Sequence, residues 1–181
     1  MKKLIAMVGL VAVGLSAYGQ GTVLFQNVGP GLNAPVNLQA GGMVPAGDSF
    51  TAELLVGTTA SALTPVTGTT GFAQAGYFLG GTKTLDGFAP GSQPFFQVRV
   101  WENMGGTVAS YAAATTAGVQ YGSSLTFQLG GSGSTASLGG GSPPLPAPAL
   151  IGMTGFSLVP EPSTYALLAL GAAALFLRRR K

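Results

Sequence analysis

Chemistry in a protein needs side chains that hold charge, carry a proton or bind a metal, and this chain has few of them. Cys and His are both absent from its 181 residues. That removes the thiolate nucleophile, the usual zinc ligands and the commonest general base. Between residues 20 and 159 the acids are Asp48, Glu53, Asp86 and Glu102, and the bases are Lys83 and Arg99. A glycosidase needs two carboxyl groups facing each other across a scissile bond. Glu53 and Glu102 are the pair that could serve, because they fall on separate segments able to lie side by side. Asp48 and Asp86 each stand next to a Gly, a turn signature, and no run of alternating acids suggests calcium. Ser and Thr are plentiful, but no base is at hand to activate one. The Gly139-Gly140-Gly141 run leads towards proline rather than a helix, so it makes no phosphate cradle. The expectation is a protein that is not an enzyme and uses no metal or cofactor. A binding surface is the remaining chemistry. Trp101 with Tyr77, Tyr111 and Tyr121 could form an aromatic platform for sugar rings, unless Trp101 simply packs against a neighbouring layer.

The elements that would position these residues read as β-strands. Phe50 to Val56 alternates, with Phe50, Ala52, Leu54 and Val56 on one face and Thr51, Glu53 and Leu55 on the other. Phe95 to Glu102 does the same, with Phe96, Val98 and Val100 on one face and Phe95, Gln97, Arg99 and Trp101 on the other. Thr22 to Asn27, Tyr77 to Leu79, Ser124 to Leu129 and Thr154 to Val159 are further candidates, with weaker ones at Val36 to Leu38 and Val66 to Thr67. Ser110 to Ala114 is the one helical turn suggested between residues 20 and 160. Short strands broken by Gly, Pro, Asn and Thr predict an all-β domain, an antiparallel sandwich of jelly-roll type. Residues 130 to 148 hold fourteen Gly, Ser or Pro among nineteen, a loop or a linker. The apolar Leu150, Ile151, Phe156, Leu158 and Val159 that follow favour a loop returning to a last strand.

Charge and hydropathy then separate the two ends from this middle. The formal net charge is +3, yet six of the eight basic residues lie at the tips: Lys2, Lys3, Arg178, Arg179, Arg180 and Lys181. The middle is mildly acidic, which excludes a nucleic-acid grip built on phosphate neutralisation. Residues 1–19 carry Lys2-Lys3, an apolar run from Leu4 to Leu15 and the small-residue stretch Ser16-Ala17-Tyr18-Gly19, the layout of a secretory signal peptide cut between Gly19 and Gln20. Export through the Sec machinery follows. Residues 20–159 form the exported domain, and residues 160–181 form a separate tail. In that tail Pro160-Glu161-Pro162 precedes an apolar helix over 164–177 and then the cluster Arg178-Arg179-Arg180-Lys181. Thirteen apolar residues from Tyr165 to Leu177 reach about 20 Å against a hydrocarbon core of ~30 Å, a short transmembrane helix. The terminal cations set its topology and hold its C-terminus in the cytoplasm.

The Pro160-Glu161-Pro162 motif, the short apolar helix and the basic cluster together resemble the PEP-CTERM sorting signal of Gram-negative bacteria. A looser similarity to exported verrucomicrobial proteins of that type lies in the Gln97-Val98-Arg99-Val100-Trp101 strand and the Gly155-Phe156-Ser157-Leu158 run. The resemblance implies recognition by exosortase, a membrane-embedded cysteine transpeptidase-like enzyme that cuts near the motif. It also implies a transient stay in the inner membrane before release to the cell surface or extracellular matrix. A structural or adhesive role is expected for the domain, with a carbohydrate-binding module of the matrix polysaccharide as the alternative and a polysaccharide hydrolase as the third.

Overall fold

The computed structural model of the protein describes residues 19–129 and 135–159. The expected signal segment before Gly19 and the tail from Pro160, with its expected helix over 164–177, lie outside the described residues. Among the described residues no helix is long and apolar enough to cross a membrane.

Among the described residues the fold is mostly β-strand, with one short α-helix. Its strands are β1 (Gly21–Gln26), β2 (Val28–Gly29), β3 (Leu32–Asn33), β4 (Val36–Asn37), β5 (Gly47–Gly57), β6 (Thr64–Pro65), β7 (Thr70–Phe72), β8 (Leu79–Leu85), β9 (Phe95–Glu102), β10 (Tyr121–Ser123), β11 (Phe127–Gln128) and β12 (Phe156–Ser157). Helix α1 spans Tyr111–Ala117. Its first turn is capped by Ser110, whose Oγ accepts from the Ala113 amide at 3.1 Å, and Gly118 ends it in the left-handed region.

A six-stranded sheet runs in the order β10-β9-β5-β6, with β11 also on β9 and β7 also on β5. The antiparallel β5–β9 pair is its spine, in the register Ala52↔Val100, Leu54↔Val98 and Val56↔Phe96. The inward alternation read from both strands is the reason: these side chains are all buried and join one core. Each buried Val, Leu or Phe contributes about 1.5–3 kcal/mol, so a one-residue slip that turned the stripe outwards would be very costly.

The antiparallel β1–β8 pair adds to the same core. Val23, Phe25 and Leu85 point into the same cluster as β5 and β9. Phe25 packs on Phe78 with ring centroids 4.8 Å apart, and Phe78 meets Phe72 edge-on at 5.9 Å. Gly80 is required here, since a Cβ on it would stand 2.5 Å from the Phe25 ring. The register shifts at this point, between Leu24 and Gln26. The local pattern predicts a strand at Tyr77 to Leu79; the strand starts at Leu79 and runs to Leu85 instead. Its Gly80-Gly81-Thr82-Lys83-Thr84 stretch is polar and carries no inward stripe, so the pairing with β1 defines it and the local pattern does not.

Residues 135–159 fold back onto this body. Leu138 is fully buried, Gly139 and Thr22 exchange backbone hydrogen bonds at 2.9 and 3.0 Å, and the Leu24 amide donates to the Pro148 carbonyl at 2.7 Å. Leu150, Met153 and Leu158 then enter the main core.

Candidate functional site

The place where the domain meets its tail is held from both sides. Strand β12 runs parallel to β4, with Phe156↔Val36 and Ser157↔Asn37. On that edge the Phe156 amide donates to the Pro35 carbonyl at 3.3 Å and the Leu158 amide to the Asn37 carbonyl at 2.8 Å. On the opposite edge Val159 meets β10: its amide donates to the Tyr121 carbonyl at 2.8 Å, and the Tyr121 amide donates to the Val159 carbonyl at 3.2 Å. Leu158 is 0 % exposed, while Val159 is about half exposed. Gly122 makes the approach feasible, because a Cβ there would stand 3.1 Å from the Ser157 carbonyl oxygen and 3.2 Å from the Leu158 Cα. The next residue, Pro160, has no N–H with which to extend the ladder. Val159, the last described residue, thus lies beside Tyr121, and Pro160, Glu161, Pro162 and the basic residues Arg178, Arg179, Arg180 and Lys181 lie outside the described residues.

Three of the four aromatic residues singled out for sugar binding come together at this exit. Tyr111 of α1 meets Trp101 edge-on at 6.3 Å and Tyr121 edge-on at 5.6 Å, and the Arg99 guanidinium lies 5.0 Å from the Tyr111 ring centre. Trp101, however, is 2 % exposed. Val108 and Ala114 cover it, and its indole N–H donates to the Val108 carbonyl at 3.0 Å. It offers no ring face to a sugar. Tyr77 belongs elsewhere: it precedes β8, and its hydroxyl donates to Asn33 Oδ1 at 2.8 Å. What is left of the platform is the half-buried pair Tyr111 and Tyr121 beside Arg99. Burial raises the Tyr111 hydroxyl above its ordinary pKa, partly opposed by a hydrogen bond with Ser123 and by Arg99.

Glu53 and Glu102 do not share a cleft. Glu53 lies opposite Arg99 on the outer face of the sheet, whereas Glu102 lies opposite Phe50, on the parity of Phe96, Val98 and Val100. Neighbouring strands place them on opposite faces, so no bond can sit between the two carboxyl groups. Burial raises the Glu53 pKa, and the Arg99 charge works against that rise. Among the described residues no group of three or more His, Cys, Asp or Glu could hold a metal ion. A pocket of about 140 Å³ between β5–β6 and β8, lined by Thr64, Thr84, Asp86 and Phe88, is small beside the ~300–1,000 Å³ of ligand sites.

The other expected processing point is also seated on the fold. The Gly21 amide donates to the Phe88 carbonyl at 2.7 Å, and Gln20 Nε2 donates to Asp86 Oδ1 at 2.6 Å. Gly19 and Gln20 thus flank the start of β1. Sequence reasoning missed Asn103, which follows β9. Its Oδ1 accepts from the Gly105 and Gly106 amides at 3.1 and 3.3 Å, and its Nδ2 donates to Thr51 Oγ1 at 2.9 Å and to the Asp48 carbonyl. An Asn before Met-Gly-Gly is the available signal, since Asn favours turns and helix starts.

No curated protein and no solved structure matches the chain. Residues 158–181 match the family model of the PEP-CTERM protein-sorting motif. The match begins at Leu158, so two residues of the motif are already part of the β-domain. The tail of the chain is thus a PEP-CTERM sorting signal, and it marks an exported protein that is recognised by exosortase and processed at the membrane.

Proposed function

We propose that the protein is a non-enzymatic component of the cell surface or extracellular matrix, exported through Sec and released from the inner membrane by cleavage at its C-terminal motif. The observation that carries this is the sorting signal joined directly to the β-domain, with Leu158 and Val159 common to both. The pair β1–β8 and the six-stranded sheet bury their side chains in one cluster. We read that arrangement as a jelly-roll-like sandwich, a body suited to structural or adhesive work. Carbohydrate binding has narrower support, because it would rest on Tyr111, Tyr121 and Arg99 without Trp101. Glu53 and Glu102 on opposite faces argue against a polysaccharide hydrolase.

The test is the intact mass of the protein from fractionated producing cells, alongside a chain lacking Arg178 to Lys181. The expected wild-type species starts near Gln20, ends near Pro160-Glu161-Pro162 and lies outside the inner membrane. The truncated chain is expected to be left uncut or wrongly oriented. A wild-type species that keeps Arg178 to Lys181 in the inner membrane would overturn the proposal.

A further inference from the structure

Cleavage by a protease needs several residues of extended, accessible backbone, and the burial and hydrogen bonding of that backbone decide whether it is available. Here the motif starts inside the fold. Leu158 is fully buried and its amide is bonded to Asn37, while Val159 exchanges two hydrogen bonds with Tyr121. Pro160 is therefore one peptide unit from a backbone clamped on both edges. An enzyme seated in or on the membrane must reach the motif against the bulk of α1 and β10, which stand around Tyr121.

We infer that the docked strand Phe156–Val159 controls processing: the motif is cut from a locally opened state in which Val159 leaves Tyr121 and Leu158 leaves its socket. The inference rests on the sorting reading above and adds a regulatory element to it. Several features make this strand the part that opens. Its regular pairing with β4 covers two residues only, and half of Val159 is already exposed. Short terminal segments of this kind can open locally at less than the cost of global unfolding. When opening and closing are fast relative to cleavage, the rate follows the population of the open form. A fully folded domain would then be cut slowly, and any partner that pulls on the strand or covers β10 would change the rate.

The geometry supplies a direct test. Tyr121 and Val159 exchange both hydrogen bonds, so they form a hydrogen-bonded antiparallel pair, whose Cα atoms stand about 5.5 Å apart, within disulfide range. The chain contains no Cys that could compete. The full chain carrying Tyr121→Cys and Val159→Cys is expressed in cells that process the wild type, and loss of the tail is followed by pulse-chase and mass. In its oxidised form, processing is expected to slow by about tenfold or more, because the clamp removes the open state. Reductant is expected to restore it, which also shows that the variant folds and remains a substrate. A six-residue Gly/Ser spacer between Val159 and Pro160 is expected to restore cutting even in the oxidised form, because the motif then reaches the enzyme with the strand still docked. Oxidised protein cut at the wild-type rate overturns the inference, as does oxidised spacer protein that stays uncut. A wild-type chain that is never cut removes the sorting reading itself, and this inference with it.

Discussion

Asn27 is the side chain whose removal should cost the domain most for its size. It follows β1, is 0 % exposed, and ties three separate segments together. Its Nδ2 donates to the Ala34 carbonyl at 2.8 Å and the Gly76 carbonyl at 2.9 Å, and its Oδ1 accepts from the Phe78 amide at 2.8 Å. In Asn27→Ala the Gly76 carbonyl keeps a partner, the Val36 amide at 3.0 Å. The Phe78 amide and the Ala34 carbonyl lose theirs. At about 1–3 kcal/mol for each buried group left unsatisfied, the loss is about 2–6 kcal/mol, a large share of the ~5–15 kcal/mol that holds a domain together. Asn27→Asp separates polarity from shape. It keeps the acceptor for Phe78 but places a carboxylate against the two carbonyl oxygens, so burial raises its folded pKa above the unfolded value of about 3.9. Its stability relative to wild type is then greatest below that unfolded value and falls as pH rises through the folded pKa. Urea unfolding followed by the fluorescence of Trp101, the single Trp and a buried one, measures both variants. Asn27→Ala within about 0.5 kcal/mol of wild type, the range of ordinary surface changes, would refute the reasoning.

Ser124 takes the place of a strand partner between β10 and β11: its Oγ accepts from the Val98 amide at 3.0 Å and donates to the Leu125 carbonyl at 2.8 Å. Ser124→Ala is expected to cost about 1–3 kcal/mol in the same unfolding assay, with faster amide exchange at Val98. Glu53 has its folded pKa raised above 4.5 by burial. Its contribution is therefore fully present below that value and is lost as pH rises through the folded pKa, so wild-type stability declines across that window while Glu53→Gln does not. Unfolding curves from pH 4 to 8 check this, and a difference between the two proteins that stays constant with pH would count against it.

The parts of this fold that were legible beforehand are those in which local pattern and burial agree. Phe50 to Val56 and Phe96 to Val100 each keep an apolar residue at every second position, on one face, and they form the β5–β9 spine with those stripes turned inwards. Ser110 before an Ala-rich run is a capped helix start, and α1 begins there. Where pairing partners are distant, the pattern thins. β8 carries Gly, Thr and Lys because most of it is solvent-facing, so nothing local separates it from a loop. β4 and β12 pair for two residues across more than a hundred positions, a contact that alternation within either segment does not encode. Trp101 shows the limit at the site. Its parity put it on the outer face of the sheet, which is where it lies, but parity could not reveal that α1 folds over that face and buries it.

The same packing bounds where the tail can be removed. Leu158 is completely buried in the core, and truncating a buried Leu typically costs about 2–5 kcal/mol. Cutting on its N-terminal side would strip that side chain, the hydrogen bond to Asn37 and the pair with Tyr121, leaving the β4 and β10 edges open for other strands to join. Cutting after Val159 leaves every one of these contacts in the released protein. A released protein that keeps these contacts requires a scissile bond on the C-terminal side of Val159, and cleavage is expected there although the sorting motif begins at Leu158. The two residues shared by motif and domain would then serve the enzyme before the cut and the fold after it. A mature C-terminus found upstream of Leu158 would contradict this.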